Sequence, residues 1–103
     1  MDMKLTPWPH EAPPTMEELQ TLLAQQDLKV YHWSDGPNEV HDGHTHGYHK
    51  VLYVLEGSIK FEFPTRHSSL TLNTGDRLDL PAGIRHSAVV GQEGVTCLEA
   101  HIY

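Results

Sequence analysis

Leu19, Leu22 and Leu23 recur at spacings of three and four, directly after Thr15-Met16-Glu17-Glu18. That tetrapeptide has the form of a capping box, in which the first hydroxyl accepts the fourth residue's amide proton and the fourth residue's carboxylate accepts from the first amide. The pattern predicts one short amphipathic helix that starts at Thr15, fades by Asp27 and lays a narrow apolar stripe on a larger surface. After Leu28 the period falls to two. Residues 28–33 alternate and stop at the turn cluster Ser34-Asp35-Gly36-Pro37-Asn38. Residues 50–55 are β-branched and aromatic, and Glu56-Gly57-Ser58 predicts a hairpin turn after them. Ile59, Phe61 and Phe63 then alternate with Lys60 and Glu62 until Pro64 closes the strand. Leu70, Leu72, Leu78 and Leu80 continue the alternation around Asn73-Thr74-Gly75-Asp76, and two more strands are expected at 86–90 and 95–102. Many short strands and one outlying helix predict an all-β antiparallel sandwich or barrel.

The size of the chain, 103 residues with 38% hydrophobic, suits one domain. Pro7, Pro9, Pro13 and Pro14 predict that 1–14 is an extended arm and that the domain covers 15–103. Seven Lys and Arg against 14 Asp and Glu give a formal charge of −7, which disfavours a nucleic-acid partner. Cys97 is the single cysteine, so no internal disulfide and no multi-thiolate zinc site can form; a small buried hydrophobe is its expected role. The longest apolar run, 51–55, falls far short of the ~18 residues of a membrane span. The first fourteen residues hold no apolar block of the kind that a cleaved secretion signal carries, and a cytoplasmic location is expected.

Nine histidines change the picture, five of them (His32, His41, His44, His46 and His49) within eighteen residues. His44 and His46 are two apart, so on a strand both rings project from one face and one ion can meet both. His86 follows Pro81-Ala82-Gly83-Ile84-Arg85 on a later strand. Three neutral nitrogens suit zinc, copper, nickel or iron(II) and leave coordination positions open for water or substrate; the expected cofactor is one divalent transition metal, drawn from these or manganese. His-x-His alone is a weak signal, for which exposed or hydrogen-bonded histidines are the commoner explanation.

The frame around these histidines is more specific. His44-x-His46, three residues, Lys50, six residues and Gly57 resembles the first motif of the cupins, while Gly75, five residues, Pro81-x-Gly83, two residues and His86 resembles the second. The two cover about half the chain, from Asn38 to Val90. The resemblance to small single-domain cupins implies a double-stranded β-helix of jelly-roll type, a metal held by His44, His46 and His86, and a homodimer formed through a sheet edge or exchanged arm. Gly57 and Gly75 are expected where strands reverse, and Pro81 and Gly83 shape the turn that presents His86.

The chain departs from the motifs at three places. Asn38 stands for the first glycine, a mild change because Asn tolerates left-handed backbone, and Val90 stands for the second motif's asparagine. Lys50 stands where the first motif carries its glutamate ligand. Three roles are open to it: a charged receptor for the carboxylate, phosphate or other oxyanion of a bound molecule, a neutral base or nucleophile, or a side chain turned out to solvent. The first is favoured and makes Lys50 the substrate-binding candidate. His49 has the opposite parity to His46 and is expected to face away. In the last strand Cys97, Glu99 and His101 share one face and Leu98, Ala100 and Ile102 the other; which face lines the barrel is not fixed by alternation, so Glu99 or His101 can take the place of the missing carboxylate ligand. Tyr48, Tyr53, Phe61 and Phe63 are candidates for the barrel lining.

These readings lead to a metal-assisted enzyme, of dioxygenase or isomerase type, acting on a small anionic molecule. The alternative is a non-catalytic module that holds a metal or small ligand. Because binding needs unprotonated imidazole, metal affinity is expected to fall below pH ~6.5.

Overall fold

The computed structural model describes residues 2–103. Met16–Ala24 forms the helix α1 with the expected capping box: Thr15 accepts from the Glu18 amide at 3.2 Å, and Glu18 accepts from the Thr15 amide at 3.0 Å. The strands are β1 (Lys4–Thr6), β2 (Val30–Asp35), β3 (Val40–His44), β4 (His49–Phe63), β5 (Ser68–Leu72), β6 (Arg77–Leu80) and β7 (His86–Ile102), all paired antiparallel. The expected arm thus contributes a strand, β1, which pairs with β6.

The largest correction concerns the middle of the chain. Glu56-Gly57-Ser58 is no hairpin turn, and 86–90 and 95–102 are not separate strands. β4 and β7 are single long strands that pair from end to end, with register shifts between Val54 and Glu56 and between Gly57 and Ile59. Gly57 (φ +80°) and Gly94 (φ +78°) take the positive φ that bulges of this type require. The first shift adds one residue to β4 and the second adds three to β7, so each inverts the in–out alternation of the strand that carries it. In β4 the core-facing set changes from Leu52 and Val54 to Ile59, Phe61 and Phe63; in β7 it changes from Ala88 and Val90 to Val95 and Cys97. Local residue preference cannot separate a bulge from a turn here, because both need glycine. The alternation after Gly57, which keeps its apolar set aligned with a partner strand, is what decides for a bulge.

The bent β4–β7 ribbon divides the sheet into two halves. β6, β1 and β2 extend one half, and β5 and β3 the other. The core joins both: Leu52, Leu78, Leu80 and Cys97 from the first meet Phe61, Phe63, Leu72, Ala88 and Val90 from the second. The two halves face each other across this shared core, the arrangement of a jelly-roll barrel. A second cluster lies outside, where Leu19 and Leu23 of α1 cover Val51, Tyr53, Leu98 and Ala100. This explains why residues 51–54 are buried on both strand faces and read as an unbroken apolar run. It also settles the last strand: the Leu98 and Ala100 face lies under the helix, so Cys97 and Glu99 face the barrel interior. No helix among the described residues is long and apolar enough to cross a membrane.

Candidate metal centre

His44 ends β3 and pairs in register with His86, the first residue of β7. His46 lies beyond β3, in the loop that leads to β4, so the strand-parity argument that placed it beside His44 does not apply. A backbone hydrogen bond holds it instead: the His46 carbonyl accepts from the Gly83 amide at 2.9 Å, which ties the His46 loop to the turn that presents His86. Gly83 takes φ +81° in that turn.

The three rings converge. His44 and His86 centroids are 4.5 Å apart, His44 and His46 4.6 Å, and His46 and His86 5.2 Å. One nitrogen from each ring lies within 4.8 Å of the others, and among the described residues this is the one cluster of three or more His, Cys, Asp or Glu side chains so arranged. The Nε2 atoms of His44 and His46 are 3.0 Å apart. Two nitrogens bonded to one ion at ~2.0–2.1 Å are separated by about 2.8–3.4 Å at right-angled to tetrahedral geometry, so this spacing suits a shared cation.

The ring orientations also fit a metal. A carbonyl oxygen can only accept, so His44 Nδ1 donates to the Asp42 carbonyl at 2.6 Å, and His86 Nδ1 donates to the Ile84 carbonyl at 2.9 Å. Each neutral ring is thereby fixed in the tautomer whose Nε2 carries the free lone pair, the arrangement that outer hydrogen bonds impose on ligating histidines. Burial, followed by the charges of Lys50, His44 and His86, pushes His46 down to about 4 against a weaker upward pull from Glu99. Burial likewise lowers His86, only partly offset by its bond to Ile84. Both rings therefore favour the neutral, ligating form.

Lys50 points inward. It is the second residue of β4, on the same face as Leu52 and Val54, its side chain is 13% exposed, and its Nζ lies 3.5 Å from Glu99 Oε2. The outward, solvated role is excluded. Glu99 is the residue that completes this cluster: Trp33 Nε1 donates to its Oε1, and His101 Nε2 donates to its Oε2 at 2.6 Å. Burial pushes the Glu99 carboxyl up, but Lys50 and the bonds from His101 and Trp33 together outweigh it and hold the group below its ordinary range. Neither Glu99 nor His101 joins the three imidazoles as a ligand. His101 is packed between Tyr31, stacked at 4.9 Å, and Tyr48, tilted at 4.1 Å. Tyr48 in turn lies 4.9 Å from the His46 ring, so a chain of rings joins the metal cluster to the Glu99 cluster.

Of the aromatic lining candidates, Phe61 and Phe63 are inside the barrel, 6.0 and 6.5 Å from the His86 ring, and Tyr48 is at its mouth. Tyr53 is not part of the lining: its odd position in β4 turns it outward under α1, where its hydroxyl accepts from Arg77 at 3.3 Å. His49 faces away as expected, its Nδ1 accepting from the Ala82 amide at 2.9 Å. His41 is engaged elsewhere, with Nε2 2.5 Å from Asp35 Oδ2. Sequence reasoning missed Trp33, although its alternation with Tyr31 placed it on one strand face; its partner was invisible without the register that sets Trp33 opposite Cys97.

No family model matches the chain, and no curated protein matches it in sequence. Solved structures do match in shape. A cupin-2 domain protein from Shewanella frigidimarina superposes with a TM-score of 0.62 at 20% identity, over 91% of this chain and 82% of that one. The polyketide cyclase RemF from Streptomyces resistomycificus gives a TM-score of 0.63 at 26% identity, over 70% of this chain and 52% of that one. The DMSP lyase DddQ from Ruegeria pomeroyi gives 0.66 at 20% identity, over 74% of this chain. The match spans only 38% of the lyase, so neither enzyme is covered over two thirds of its length. With the two halves of its sheet folded over one core and His44, His46 and His86 gathered together, the chain has the double-stranded β-helix fold of a small cupin domain.

Proposed function

We propose that the protein binds one divalent transition metal through His44, His46 and His86 and uses it on a small anionic molecule, in a reaction of dioxygenase or isomerase type. The observation that carries this is the convergence of three imidazoles from separate segments, two with Nδ1 committed to backbone carbonyls and Nε2 left for an ion. Bound there, a metal supplies a Lewis acid that polarises an oxygen of the substrate.

The charge balance favours an anionic partner. All three ligands are neutral, and the nearby carboxylate, Glu99, is matched by Lys50. A divalent ion therefore keeps its full charge, with no anionic protein ligand to offset it. Lys50 has three N–H donors and, among the described residues, one carboxylate at 3.5 Å, so it retains donors for the anionic end of a bound molecule. Phe61, Phe63 and Tyr48 supply apolar walls. The cyclase and the lyase show this barrel shape in enzymes, in keeping with a catalytic role.

The test is metal analysis of untagged protein, followed by oxalate titration of the nickel-loaded wild type and Lys50→Met. The expected result is about one metal per chain, removed by triple His→Ala substitution, and oxalate affinity lower by about tenfold in Lys50→Met, the size of one charge-assisted contact. Failure to take up zinc, nickel or ferrous ion overturns the metal role. Unchanged oxalate affinity overturns the role given to Lys50.

A further inference from the structure

The Lys50–Glu99 pair lies beside the three imidazoles without belonging to them. Lys50 and Glu99 sit on neighbouring inward-facing positions of β4 and β7, Lys50 being in register with His101. Each Glu99 oxygen is occupied, Oε1 by Trp33 and Oε2 by His101 and Lys50. Glu99 is 8% exposed, and turning it onto a metal would leave the Lys50 ammonium, itself little exposed, without its counter-ion. Stripping the partner from a buried charge is strongly unfavourable. The pair thus withholds a carboxylate from the centre, and the strand position that points towards the site, residue 50, carries a cation.

Resting on the metal role argued above, we propose that the Lys50–Glu99 ion pair sets which metals this centre accepts, by keeping its protein ligands purely imidazole and so excluding manganese(II) relative to nickel(II). Imidazole suits nickel, copper, zinc and iron, whereas manganese depends on carboxylate and other oxygen donors. Two effects act together. The absent carboxylate removes the ligand that manganese needs most, and the Lys50 charge repels every divalent ion alike. Only the first distinguishes one metal from another.

The test titrates chelator-stripped, full-length protein with nickel(II) and with manganese(II) separately in a non-coordinating buffer, by calorimetry. Nickel binds most mixed sites more tightly than manganese, so the informative quantity is the change in the ratio of their dissociation constants between variants. Lys50→Glu is expected to narrow that ratio by about tenfold or more, because it places an oxygen donor at the inward-facing position beside the imidazoles. Lys50→Gln removes the charge while Trp33 and His101 still hold both Glu99 oxygens away from the imidazoles, so it is expected to tighten both metals while leaving the ratio within about threefold. If Lys50→Glu fails to fold, the double substitution K50E/E99Q, which holds a single carboxylate in the cluster, carries the same expectation. A ratio unchanged in the carboxylate variant overturns the proposal, as does a Lys50→Gln variant that narrows it equally. Wild-type protein that binds neither metal overturns the metal role itself, a result distinct from binding with an unaltered ratio.

Discussion

Gly57 and Gly94 meet across β4 and β7 so closely that a Cβ on Gly57 would lie 1.9 Å from the Gly94 carbonyl oxygen. This contact is the corner at which both long strands bulge and the sheet turns into a barrel. Gly57→Ala introduces a backbone clash as well as an unfavourable positive φ. It is expected to cost about 2 kcal/mol or more, measured by urea unfolding. A variant as stable as the wild type would show that the corner does not depend on this approach.

The capping box at the start of α1 makes a smaller, separate prediction. Thr15→Ala removes the acceptor for the Glu18 amide and is expected to destabilise by about 1 kcal/mol, with Thr15→Ser close to neutral. The helix covers only the outer face of one half of the sheet, so the loss should leave the nickel affinity of the barrel mouth unchanged.

Acid should weaken the metal-free protein through His46. Its folded-state value of about 4 lies below the ordinary ~6.5 of an unfolded histidine. Between these values the unfolded chain takes up a proton that the folded chain refuses, so stability falls as pH drops from ~6.5 to about 4. His86 is shifted in the same direction and adds to the slope. Urea midpoints at several pH values should show this decline, and His46→Gln should flatten it. For metal binding the same shift means that protons begin to compete for His46 only near pH 4, and not from the ~6.5 of an ordinary histidine.

Cys97 should be unreactive in the folded protein. It is fully buried in the barrel core, and burial, with help from Glu99 and Asp35, pushes its thiol up to about 12. A thiol reagent at pH 8 should label it only after urea unfolding, because the thiolate is the reactive form. Rapid labelling of native protein would contradict its placement.

Metal binding should raise thermal stability, because an ion that binds the folded chain alone shifts unfolding by mass action. Excess nickel is expected to raise the Tm of the wild type, and His44→Ala, His46→Ala and His86→Ala should each abolish most of that rise. His49→Ala is the control: its imidazole accepts from the Ala82 amide and has no place among the candidate ligands, so the nickel-dependent rise should persist.

Much of this molecule was legible in the order of its residues. The capping box and the leucine spacing defined α1, the period of two defined the strands, and the motif spacing around His44, His46 and His86 identified the rings that meet. These features are local, or are repeated in a frame specific enough to name a barrel. Other features were beyond any local pattern. Whether Gly57 turned or bulged depended on its partner strand, and whether Glu99 or Leu98 faced the interior depended on which side α1 covered. The fate of Lys50 depended on a carboxylate 49 positions away in the chain and 3.5 Å away in space. Sequence fixes periodicity, caps and residue chemistry because each acts over a few residues. Register and facing, and with them the surroundings of every charge in the barrel, arise only when distant strands pair and the sheet closes.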